Sequence, residues 1–304
     1  MNKKLISTKM KMFIIGLLIL SIIFYTSGCI ILVKSNYKLS DYTNEINFRA
    51  SSFSNNFFNF INSSSSHDYN IDDDISEINF NINSQDISVV NTDSELLNVS
   101  INGFSAPNIQ MNLSKNNNKM IFSSNVDIPD YTDIIISIPK SISDKIMLKI
   151  TTRNGNININ NFSYNSINLS SASGDICLKN SNLNYIYSST SSGDIILDSV
   201  TSYIETNLSC LSGSIDGTGN FGTLTGSTSS GDISLAFIDS LQNVFLNSTS
   251  GDITLSLPSK LGYEINYSTI YGDLNSNNDL LINGDKSNKL NVNTTSGDLN
   301  INNI

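Results

Sequence analysis

Aspartate is the residue whose recurrence in this chain could do chemistry. Asp175, Asp194, Asp232, Asp252, Asp273 and Asp298 each follow a glycine, and Asn156 and Ser214 hold the same position elsewhere. The glycines are Gly155, Gly174, Gly193, Gly213, Gly231, Gly251, Gly272 and Gly297, at intervals of 19, 19, 20, 18, 20, 21 and 25 residues. Carboxylates in such a column could share cations, or each could accept a hydrogen bond from main chain at its turn. Stacked about 5 Å apart in water they repel by only ~0.8 kcal/mol per pair, which turn bonds can offset. The spacing fits neither a nonapeptide calcium β-roll nor an EF-hand loop. A turn role is therefore expected, and no metal ligands.

Other reactive types are sparse. His67 is the single histidine, with no cysteine or second histidine near it in sequence, so neither a metal site nor a catalytic dyad is readable. Cys177 lies three residues after its glycine and Cys210 three before its own, on non-adjacent repeats, which argues against a disulfide. Arginine occurs only at Arg49 and Arg153, and no repeat gathers Lys, Arg and an acid as a polysaccharide lyase groove would require. The expectation is no catalytic residue, no cofactor and no enzyme.

The elements that carry these residues emerge when the repeats are aligned on the glycine. Ile157, Ile176, Ile195, Ile215, Ile233, Ile253, Leu274 and Leu299 stand two residues after it, and Leu148, Ile167, Ile186, Leu224, Val244, Ile265 and Leu290 stand seven before. Further apolar rows lie four after and five before. Each repeat thus reads as two short strands with period-2 alternation, joined by a tight Ser-Gly-Asp turn. One repeat cannot bury its apolar row alone, whereas stacked coils bury a continuous column. Glycine at the corner would supply a positive φ or close backbone passage. Three residues before the glycine stand Thr152, Ser171, Thr190, Cys210, Thr228, Ser248, Thr269 and Thr294. An outward threonine array would suit ice or crystal binding, but the column is in phase with the apolar rows, so an inward hydroxyl ladder bonding corner main chain is expected.

The Ser-Gly-Asp-Ile repeats resemble those of the bacterial "putative adhesin" family, the LiaG-like envelope proteins. So does the alternating strand Ile134 to Lys140 ending in Ile138-Pro139-Lys140, and Leu257-Pro258 before a Gly-Asp turn. The resemblance covers about residues 75 to 304. It implies a parallel β-helix-like solenoid outside a bacterial membrane and carries over no catalytic residue. Ser214 in place of Asp, Tyr271 in place of Ser and the long last interval depart from the pattern.

The fold class expected is all-β, a parallel β-helix or β-solenoid of about 19–20-residue coils, preceded by one N-terminal transmembrane helix. Residues 1–11 carry Lys3, Lys4, Lys9 and Lys11 and no acid, as a cytoplasmic tail would. Residues 12–33 are uncharged and apolar, long enough to span a bilayer. Thr26-Ser27-Gly28-Cys29 has the look of a lipoprotein signal, which would put lipid on Cys29. Thr26, however, stands where Leu is usual, and Ile30 to Val33 prolong the apolar run. An uncleaved helix is the favoured reading, with a cleaved signal peptide and lipidation as the alternatives. Residues 34–74 read as a Ser/Asn-rich spacer, in which Phe53, Phe57, Phe58, Phe60 and Ile61 could cap the solenoid or lie on the membrane. Residues 75–304 form the solenoid, opening with degenerate coils, in which Gln85-Asp86-Ile87 replaces the usual corner and Asn116-Asn117-Asn118 suits a hairpin.

Net charge is −10, and without the four N-terminal lysines 13 basic residues face 27 acidic ones, or −14. Nucleic acid and bare anionic lipid suit such a surface poorly. The expected partners are the membrane, through the N-terminal helix, and envelope proteins or wall polymer. The function expected is a surface-exposed binding or scaffold module on the bacterial cell membrane. Envelope-stress sensing is the alternative, and a carbohydrate-active enzyme a remote one.

Overall fold

The computed structural model of the protein describes residues 64–103, 111–124, 132–142, 144–276 and 288–304. The predicted membrane span, Cys29 and the phenylalanine cluster lie outside the described residues. No helix among the described residues is long and apolar enough to cross a membrane.

Because the Ile and Leu rows alternate with polar residues, the chain forms strands that are half-buried, and the strands stack in parallel. One stack runs, in spatial order, β6 (Lys119–Ser124), β2 (Glu77–Asn81), β8 (Met147–Thr152), β10 (Ser163–Ser171), β12 (Asn182–Thr190), the second half of β13 (Ile195–Cys210), β15 (Thr223–Thr228), β17 (Val244–Ser250), β21 (Asn288–Ser296) and β19 (Tyr263–Ser268). The other runs β7 (Asp133–Pro139), β3 (Asp86–Thr92), β9 (Ile157–Asn160), β11 (Ile176–Lys179), the first half of β13, β14 (Ile215–Asn220), β16 (Ile233–Phe237), β18 (Ile253–Leu257), β22 (Leu299–Asn303) and β20 (Leu274–Ser276). Register follows the repeat: Ile176 pairs with Ile157 on one side and Ile195 on the other. The predicted columns are the core, with Ile157, Ile176, Ile195, Ile215, Ile233 and Ile253 all fully buried.

The coils do not stack in sequence order at either end. The last coil, β21–β22, lies between the coil of β17–β18 and that of β19–β20. Likewise β2–β3 lies between β6–β7 and β8–β9. The 25-residue final interval is therefore an excursion: the chain lays down an outer coil first and returns to fill the gap.

The opening coils end in antiparallel strands. β4 (Leu97–Asn102) pairs with β7 and with β1 (Ser64–Tyr69), and β5 (Met111–Asn116) pairs with β6. Asn117 and Asn118, at φ +47° and +63°, make the hairpin turn that the asparagine run suggests. Phe80 and Phe122 stack at 4.6 Å beneath this end. Ser64–Tyr69, within the stretch read as spacer, form the paired strand β1.

Each coil also has a second corner that the glycine alignment hides. Asn161, Asn180 and Ser199 sit there with φ of +53°, +48° and +57°. Beyond it the phase of alternation shifts within the long strand, adding buried positions such as Phe162, Tyr164, Leu183, Val200 and Phe221. Where the apolar rows lapse at Gly217, the Phe221 ring of the same coil stands in the space, with the Leu235 side chain of the next.

Candidate functional site

The Ser-Gly-Asp corner is built from main chain. A Cβ on Gly193 would lie 2.2 Å from the Gly174 carbonyl oxygen, and one on Gly174 would lie 2.0 Å from that of Gly155. Neither has a positive φ, so the glycine is required by close coil-to-coil passage alone. The column three before it points inward as expected: Thr190 Oγ1 donates to the Gly174 carbonyl at 3.0 Å and accepts from the Gly193 N–H at 3.2 Å. Ser171 repeats both bonds one coil earlier, and the Cys210 Sγ contacts the Gly193 carbonyl at 3.0 Å.

The aspartates act differently from expectation. The carboxylates of Asp175, Asp194, Asp232, Asp252 and Asp298 reach across to the neighbouring coil rather than bonding their own turns. Asp175 Oδ1 accepts the Asp194 N–H at 2.8 Å, Asp194 Oδ1 accepts that of Ser214 at 2.8 Å, and Asp232 Oδ1 accepts that of Asp252 at 2.9 Å. In return the Asp194 carbonyl accepts the Ile176 N–H at 2.9 Å. At the permuted end Asp252 serves Asp298, and Asp298 serves Asp273, each at 2.8 Å. The column is thus a coil-to-coil clasp. Among the described residues no group of three His, Cys, Asp or Glu is placed to hold a metal. Asp216 flanks this column, and burial, together with the charges of Asp194 and Asp232, raises its carboxyl above the ordinary value.

His67 lies on β1, with Nε2 3.0 Å from the Ser65 hydroxyl. Cys177 is half-buried and Cys210 buried, and both are free. Burial raises both thiols above their usual range, away from nucleophilic readiness. None of these groups converges with another.

What the fold does assemble is a face. Outward residues of the long strands, four before the glycine, line up as Thr151, Ser170, Ser189, Ser209 and Ser227, and two before it stand Arg153, Ala172, Ser191, Leu211 and Ser229. Between these columns runs a groove. One part, about 600 Å³, is lined by Asn81, Ser123, Thr151, Arg153, Ser170 and Ser191, among others, and the next, about 310 Å³, by Ser189, Ser209, Leu211, Ser227 and Ser229, among others. The two share Ser170, Ser171 and Ser191. Among the described residues no carboxylate lines either.

One further column out stand Lys149, Asn168, Tyr187 and Asn207, neighbours across the strands. The Asn207 amide donates to Glu205 at 2.9 Å. Burial, and then the Glu205 carboxylate, raise the Tyr187 phenol above its usual value, so the ring stays neutral. The hydroxyl column was readable in the aligned sequence. Tyr187 and Arg153 share its face by the same alternation, and the order of neighbours across the groove depended on register between strands.

A model of the Toastrack DUF4097 family matches residues 70–302, so the chain belongs to that family. No curated protein matches it. Among solved structures it is similar to one described as a "putative adhesin" from Bacteroides fragilis, at 14% identity and TM-score 0.43, over 80% of this chain and 97% of that one. A "putative adhesin" from Parabacteroides merdae matches at 12% identity and TM-score 0.44, over 80% and 96%. A "putative lipid binding protein" from Parabacteroides distasonis matches at 16% and 0.44, over 80% and 97%.

Proposed function

We propose that this member of the Toastrack DUF4097 family is a bacterial surface protein, akin to LiaG-like envelope proteins, whose β-solenoid binds or scaffolds rather than catalyses. Residues 12–33 anchor it in the cell membrane as a single uncleaved span, with residues 1–11 inside and the solenoid outside. The observation that carries the binding reading is the long-strand face: a groove of hydroxyls and amides without a carboxylate, continuous with Tyr187. Hydroxyl and amide groups on a rigid sheet make many weak, directional contacts with a polar polymer, and none of them is a poised acid, base or nucleophile. The interior strands are paired on both sides, so recognition falls to side chains rather than to strand addition. Wall polymer suits such a face; envelope proteins are the other partner, and nucleic acid does not fit a chain of net charge −10.

The test is twofold. A thiol reagent that cannot cross membranes should label Cys177 in intact protoplasts, and wall polymer should be retained by the full chain in detergent. Protection of Cys177 until lysis contradicts the topology. An undisturbed wall-polymer fraction, with altered envelope-stress signalling on deletion, favours a sensory accessory instead.

A further inference from the structure

We infer that the Arg153 end of the groove is a subsite for the carboxylate of an acidic sugar, in a glycan laid along the long-strand face. This rests on the binding reading above and names its ligand class.

Four observations converge. First, the corner column is acidic, with Asp175, Asp194, Asp232 and Asp252 and with Asp216 beside it, whereas Arg153 and Lys149 stand outward at the Arg153 end of the long-strand side, where Glu205 lies further along, beside Asn207. Second, Arg153 is exposed and, like Lys149, makes no ion pair among the described residues, unlike Lys115, Lys119 and Lys140, which face Asp72, Glu77 and Asp93. Third, the guanidinium borders the larger part of the groove, where its neighbours are hydroxyls and amides. A planar fork of donors is matched bidentately by a carboxylate, and the hydroxyls around it suit the ring hydroxyls of a sugar. Fourth, Tyr187 lies two coils along and is level with Lys149, four residues before Arg153, which puts it roughly 16 Å from Arg153 at the strand spacing and rise per residue of a sheet. Its ring, kept neutral, offers a flat apolar surface to the C–H face of a sugar about three units along.

The surroundings limit the ligand further. With a net charge of −10 the protein repels a polyanion at long range, so one acidic residue in an otherwise neutral glycan fits better than a uniformly charged polymer. A peptide would need an open strand edge or an apolar trough. Here the strands of the groove are paired on both sides, and only Ile82, Ala172 and Leu211 are apolar among its lining.

The experiment uses the full chain in detergent and a panel of neutral oligosaccharides, each capped by one glucuronate, with the carboxyl-reduced form of each. A glycerol phosphate oligomer supplies the same kind of anion from a phosphate source. The wild-type protein should bind an acidic form about tenfold more tightly than its reduced counterpart, a preference worth about 1.4 kcal/mol. Arg153→Gln should abolish that preference, so that the acidic and reduced forms bind equally whatever the overall affinity, and Arg153→Lys should retain part of it. An unchanged preference in Arg153→Gln, or tighter binding of the phosphate oligomer, overturns the subsite. Equal binding of both forms by the wild type, lost on Tyr187→Ala, overturns the subsite alone and leaves the face reading standing. Failure of every sugar to bind overturns the subsite, and if wall polymer also fails, the binding reading falls with it.

Discussion

Replacing Gly193 by alanine tests the close-passage account of the corner. The new Cβ would sit 2.2 Å from the Gly174 carbonyl oxygen and 2.8 Å from the Asp175 nitrogen. Both are main chain, so no side chain can swing aside. Reaching an ordinary contact of roughly 3.5 Å requires a displacement of about 1 Å or more between adjacent coils. The clasp at that corner consists of the Asp194 N–H on Asp175 Oδ1 at 2.8 Å and the Ile176 N–H on the Asp194 carbonyl at 2.9 Å. Such a displacement takes both beyond useful range. Two lost bonds at roughly 1 kcal/mol each, plus about 1–3 kcal/mol of overpacking, give a loss of about 3–5 kcal/mol. Urea unfolding followed by circular dichroism should show it, with the exposed Ser192→Ala within about 0.5 kcal/mol of wild type as control. A Gly193→Ala protein as stable as that control would refute the reasoning.

Other perturbations probe the core, the acidic flank and the permuted end. Ile195 is fully buried in mid-stack, so Ile195→Asp should cost more than about 3 kcal/mol, whereas Ser234→Ala, on an exposed position of the same sheet, should change little in the same urea assay. The raised carboxyl of Asp216 is costlier when charged in the fold than in the unfolded chain. The unfolded chain therefore ionises first, and stability falls as pH rises from the ordinary carboxylate value through the higher folded one. Asp216→Asn should accordingly raise the melting temperature relative to wild type at pH 7, and the difference should vanish at pH 3. Truncation before Asn288 removes β21–β22, so hydrogen exchange at Tyr263–Ser268, whose strand pairs, among the described residues, only with β21, should become as fast as in an unfolded chain. Retained protection there would contradict the permuted order.

Much of the solenoid was legible because its signal is local and repeated. The Ile and Leu rows, the inward Thr190 and Ser171 hydroxyls, and the close-packed glycines all follow from parity about one corner. Three features were not legible, each for a physical reason. Tyr164, Leu183 and Val200 lie past the left-handed corner at Asn161, Asn180 and Ser199, where the phase shifts, so alignment on glycine scatters them. The insertion of β21–β22 keeps the same register as sequential stacking, and a 25-residue interval serves either arrangement. The aspartates satisfy a main-chain donor in both readings, and nothing in Ser-Gly-Asp says whether that donor belongs to the same coil or the next. The face was half legible. Ser170, Ser189, Ser209 and Ser227 form a visible column, and Tyr187 and Arg153 follow it by the same alternation, but only strand pairing sets residues of successive coils side by side.

The central claim is that the long-strand face is the surface through which this protein engages its partner. Co-sedimentation of the full chain with purified cell-wall polymer tests it most directly when the exposed pair Ser189→Asp and Ser209→Asp is compared with Ser234→Asp on the opposite stack. The account predicts that the paired substitution lowers affinity about tenfold or more, with folding unchanged, while Ser234→Asp binds as wild type does. Equal binding by all three proteins, or loss only in Ser234→Asp, would contradict it.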